Sequence, residues 1–93
     1  MRKLEQKMVA ALNNAENFNG SNTTVLYDKN SNQSSILLHG HLIAEYNHAR
    51  GAVYANIETL ARYPTNTTKS RLRALGVNVY TKKGVTYLND IAV

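Results

Sequence analysis

Ser34-Ser35-Ile36-Leu37-Leu38-His39-Gly40-His41-Leu42-Ile43-Ala44-Glu45-Tyr46 is the stretch on which the fold turns. Residues 34–38 and 41–46 are apolar runs of strand length. His39-Gly40 between them fits a two-residue hairpin turn, because glycine accepts the positive φ that such turns need. On the N-terminal side, residues 28–33 form a polar turn segment, and β-branched and aromatic residues 23–27 read as another strand. On the C-terminal side, residues 47–51 read as a turn and residues 52–57 as a fourth strand, with Val53, Ala55 and Ile57 on one face. Short turns make the pairing antiparallel, since parallel strands need long crossovers. One face of this meander must be covered by helices for it to be stable.

Two helices are available. Met1, Leu4, Met8, Ala11, Leu12 and Ala15 recur at helical spacing, which predicts an amphipathic helix over about residues 2–16, broken by the Asn-rich segment 17–22 that contains Gly20. Residues 58–63 are compatible with strand continuation and with a short helical turn. Pro64 disfavours an α conformation at Tyr63. Thr65 is then a good N-cap and Gly76 a good C′ residue, predicting a helix over residues 66–75. Thr68, Leu72 and Leu75 share one of its faces; Asn66, Lys69, Ser70 and Arg73 share the opposite one. Residues 77–81 and 85–89 form a hairpin around Lys83-Gly84, with Tyr80 opposite Tyr87 and Val79 opposite Leu88. Val79 and Leu88 then face inward, and Tyr80, Lys82 and Tyr87 outward. The expectation is a single α+β domain over residues 1–93: an N-terminal helix, a four-stranded antiparallel meander, a second short helix, and a C-terminal hairpin extending the same sheet.

Composition narrows the chemistry. The 93 residues include no cysteine, which excludes disulfides and thiolate metal or nucleophile sites. No apolar run approaches the roughly 20 residues of a membrane span. Met1–Lys7 is followed by too short an apolar stretch for a signal peptide, so a soluble intracellular protein is expected. His39, His41 and His48 lack acidic partners at ligand spacing, so they read as turn and edge histidines, and no metal or other cofactor is expected. The six acidic residues form no acid–base pair, and no nucleophile elbow, phosphate-cradling loop or dinucleotide fingerprint occurs. A non-enzymatic protein with no catalytic residues is the expectation.

Charge is informative. The net charge is +5, and all of that excess lies in residues 48–93; residues 1–47 sum to zero. Such asymmetry favours a polyanionic partner. A short basic helix followed by a lysine-tipped hairpin is how winged-helix proteins present a recognition helix and wing, although residues 60–62 are too short for a convincing first helix of that motif. Lys69, Arg71, Arg73, Lys82 and Lys83 are candidates to neutralise phosphates. Thr65, Thr67, Thr68 and Ser70 are candidates to hold one at the helix start, and Tyr80 and Tyr87 to stack on unpaired bases. Nucleic acid, DNA or RNA, is therefore the expected partner. The alternative is a protein-binding modulator or inhibitor of a host factor, anchored by tyrosines such as Tyr46, Tyr54 and Tyr63. An open meander edge also allows a homodimer.

Leu38-His39-Gly40-His41-Leu42-Ile43-Ala44 and Pro64-Thr65-Asn66-Thr67-Thr68-Lys69-Ser70-Arg71-Leu72-Arg73-Ala74-Leu75 resemble a family of small accessory proteins encoded by tailed bacteriophages, especially short-tailed lytic ones. The resemblance extends from Asn22 to Asn89. It departs at His41, where Asn commonly follows His-Gly, and near Tyr63, where Trp is common; the first departure argues against a chemical role for His41. The resemblance carries no activity and no catalytic residue to transfer. It implies a phage protein acting in the cytoplasm of the bacterial host, on host factors or nucleic acid.

Overall fold

The computed structural model describes residues 1–93. Helix α1, Lys3–Asn13, buries Met8, Ala11 and Leu12 along its apolar stripe. It stops short of the expected end because Ala15 adopts a left-handed φ of 53°. There the Ala15 amide donates to the Leu12 carbonyl and the Glu16 amide to the Ala11 carbonyl, closing the helix in the manner usually left to glycine.

Five strands follow as an antiparallel sheet in sequence order: β1 (Phe18–Gly20), β2 (Thr23–Asp28), β3 (Gln33–Leu38), β4 (His41–Asn47) and β5 (Ala52–Ala55). The predicted meander is present, with β1 added in front of it through Phe18 opposite Val25. His39 and Gly40 turn β3 into β4 with φ of 51° and 80°, the paired positive values expected of that turn. Alternation puts Thr23 and Val25 of β2 and Ser34, Ile36 and Leu38 of β3 on the buried face. The β3–β4 register shifts by one residue between Ile36 and Leu37, so consecutive Ile43 and Ala44 both turn inward.

The fourth predicted strand ends two residues early. Asn56 accepts a hydrogen bond from the Thr59 amide at 3.0 Å and starts helix α2, Ile57–Arg62, which buries Leu60. Residues 58–62 are thus helical rather than a strand continuation, with Tyr63 as the C-cap, and Ile57 is a solvent-exposed helix residue. Helix α3, Asn66–Ala74, has the predicted caps. Thr65 Oγ1 accepts from the Thr68 amide, and the Gly76 and Val77 amides donate to the Arg73 and Leu72 carbonyls, with Gly76 at φ 91°.

The C-terminal hairpin, β6 (Val79–Lys82) and β7 (Val85–Leu88), has the predicted register and the Lys83-Gly84 turn. It does not extend the first sheet. It pairs instead with β8 (Ile91–Ala92) to form a separate three-stranded sheet in the order β6-β7-β8. The chain returns beside β5 without pairing to it: Leu75, Val77 and Leu88 share a hollow with Val53 and Ala55. Both sheets nevertheless share one core. Met8 and Leu12 of α1, Val25, Ile36 and Ile43 of the first sheet, Leu60, Leu72, and Val79 and Leu88 of the second belong to one apolar cluster. Each fully buried Met, Ile or Leu there contributes about 1.5–3 kcal/mol. No helix is long and apolar enough to cross a membrane.

Candidate nucleic-acid interface

Helix α3 is wedged between α1 and β6, which decides the fate of its cations. Arg71 is only 3% exposed. Its Nη1 donates to Glu5 Oε2 at 2.7 Å, its Nε to Thr23 Oγ1 at 3.0 Å and its Nη2 to Asn22 Oδ1 at 3.3 Å. Ser70 Oγ donates to the same Glu5 oxygen at 2.6 Å, and the Arg2 amide donates to Glu5 Oε1 at 3.1 Å. Burial alone raises the Glu5 pKa, but the bonds from Ser70, Arg71 and Arg2 outweigh it and hold the carboxyl below its ordinary value. Lys69, 6% exposed, turns to the other side and donates to Thr81 Oγ1 on β6.

These placements correct the expected basic helix face. Lys69, Ser70 and Arg71 are not aligned toward solvent for phosphate; they tie α3 to its neighbours. The expectation failed because it placed Lys69 and Ser70 on a free face, when both flanks of α3 are covered. Every buried polar side-chain atom in the protein has a partner. Glu5 is the residue that local sequence reasoning missed. Its position three residues into α1 marks it as a cap partner, but nothing near it points to Arg71.

Five of the remaining candidates gather around β6 and β7. Arg73 is exposed, and its Nε donates to the Val79 carbonyl at 2.8 Å, which holds the guanidinium beside β6. Lys82 and Lys83 are exposed at the hairpin tip. Tyr80 and Tyr87, cross-strand partners, stack with ring centroids 5.2 Å apart and planes 14° apart. The Tyr80 hydroxyl donates to Asp90 Oδ1 at 3.0 Å, and that bond pushes the Tyr80 pKa above its ordinary value. Withdrawal of Lys69, Arg71 and Glu5 still leaves more exposed cations than acids.

Thr65 and Thr67 lie at the far end of α3, beside a cleft of about 320 Å³ that His39, His41 and Tyr63 also line. The His41 ring stacks on Tyr63 at 4.5 Å. Glu45 lines a different hollow, with Tyr54 and Glu58. His48 lies elsewhere, its Nε2 2.7 Å from Ser34 Oγ and its ring edge-on to Tyr27 and Tyr46.

The family model described as Kyanoviridae Gp96 protein matches residues 1–92. The match makes this a phage protein without carrying the narrower short-tailed origin. No curated protein and no solved structure matches the chain.

Proposed function

We propose, for a chain that belongs to the Kyanoviridae Gp96 family of phage proteins, a non-enzymatic accessory role in the host bacterial cytoplasm: binding single-stranded nucleic acid on the solvent face of the β6–β7 hairpin. The observation that supports this reading is the Tyr80–Tyr87 stack, opposite the inward Val79 and Leu88, with Lys82 and Lys83 at one end. Arg73 adds a cation beside β6. Stacking on an aromatic contributes about 1–3 kcal/mol per base and is indifferent to sequence, while the cations track the backbone. A single strand suits this face better than a duplex, because the face of α3 that a groove would need is packed against α1 and β6.

Fluorescence anisotropy with labelled single-stranded and duplex oligonucleotides over a salt series tests the reading. Single strands are expected to bind more tightly, with log K falling linearly against log salt. Lys83→Ala should reduce the slope by about 0.7, one phosphate contact on a single strand. Tyr87→Ala should weaken binding without changing the slope. No single-strand binding at low salt would overturn the proposal. A complex captured from bacterial lysate that survives nuclease would favour the host-protein alternative instead.

A further inference from the structure

The two edges of the five-stranded sheet differ sharply. At one end β1 is three residues long and lies under α1; a Cβ added at Gly20 would sit 2.8 Å from Leu4 Cδ1. At the other end β5, Ala52–Ala55, pairs with β4 alone. The Asn56 amide donates to the Ile43 carbonyl in the β4–β5 register, so the ladder's alternation directs Tyr54 and Ala52 toward β4. The same alternation leaves the backbone N–H and C=O groups of Val53 and Ala55 pointing away from the sheet, and no hydrogen bond satisfies them. The strand carries no proline, lysine or other charge to guard this edge. A hollow lies on each side of the strand, one walled by Glu45 and Glu58 and the other by Leu75, Val77 and Leu88, and Tyr54 is 51% and Ile57 56% exposed.

We infer that β5 is a self-association edge, pairing antiparallel with β5 of a second copy of this chain about a two-fold axis at Tyr54. In that register Val53 of one chain faces Ala55 of the other, and all the outward groups of both strands find partners. Tyr54 meets its own copy at a non-hydrogen-bonded position, where Cα atoms approach to about 4.5 Å and aromatic pairs are favoured. Charge selects a second copy as the occupant. Exposed Arg50 precedes the strand and exposed Glu58 follows it. Antiparallel pairing therefore brings the cationic end of each strand to the anionic end of the other, at both ends of the interface.

Sedimentation velocity on the full chain, without nucleic acid, tests this. The expected result is a reversible monomer–dimer equilibrium with a dissociation constant of about 1 μM to 1 mM. Tyr54→Lys, an exposed substitution that guards the edge, should yield a monomer with an unchanged circular dichroism spectrum. Arg50→Glu should weaken the dimer about tenfold, and adding Glu58→Arg should restore it. A chain that stays monomeric throughout overturns the inference. So does a dimer indifferent to both Tyr54→Lys and Arg50→Glu, since it would use another surface.

Discussion

The seam between α1 and α3 and the outer face of β6–β7 draw on the same basic stretch of chain and use it in opposite ways. Arg71 and Arg73 are two residues apart. One is enclosed by Glu5, Thr23 and Asn22, and the other remains in solvent with a single tether to the Val79 carbonyl. A cation's role is thus set by the element that packs beside its helix face, not by the charge count of its segment. In the seam the charge is structural, because an ion withdrawn from water must be matched or it destabilises the fold. On the hairpin it is free for a ligand.

The largest expected effect breaks the seam. Arg71→Ala leaves Glu5 buried without its cation and should destabilise the protein by about 3–5 kcal/mol. Against the roughly 5–15 kcal/mol typical of a domain, that loss is a large fraction of total stability. Urea unfolding measures it. Replacing both Glu5 and Arg71 with Met should recover most of the loss. A loss below about 1 kcal/mol from Arg71→Ala would show that the seam carries no more than a surface ion pair.

A smaller effect sharpens the comparison through pH. The Glu5 carboxyl has its folded-state pKa below the ordinary 4.5, so its stabilisation is complete above that value and is lost as pH falls through the depressed one. Acid titration of the melting temperature should therefore decline more steeply for the native chain than for Glu5→Gln over that window. Parallel curves would place the acid sensitivity elsewhere.

The smallest effect belongs to the hairpin. Lys82→Ala and Lys83→Ala should each change stability by no more than about 0.5 kcal/mol, as for other exposed side chains without partners. Differential scanning calorimetry would register a larger change as evidence that the tip is structural after all.

Legibility in the sequence followed the range of the interaction involved. His39-Gly40, Lys83-Gly84, Thr65 and Gly76 act through their own neighbours, and the turns and caps they predict are present. The pairing of Tyr80 with Tyr87 followed from the turn alone. Strand β1 was hidden because Phe18-Asn19-Gly20 has the polarity of a loop and becomes a strand only through its pairing with β2. Strand β8 is two residues long, too short to show a pattern. The start of α2 turned on the Asn56 side chain, which the alternation of residues 52–57 concealed. Among the candidate site residues, Arg73, Lys82, Lys83, Tyr80 and Tyr87 are solvent-facing or half-buried around the hairpin. Lys69, Ser70 and Arg71 were misread because their partners, Thr81 and Glu5, are set by the packing of whole elements.

The contact between Glu5 and Arg71 also bears on the order of events during synthesis. Helix α1 leaves the ribosome before α3, and its buried carboxylate acquires its countercharge only once Arg71 has been translated. Until then Glu5 is without the cation that matches it in the finished fold. The meander is built from neighbouring strands, whereas the bond that ties α1 to α3 spans 66 positions of the chain and closes only once α3 is in place.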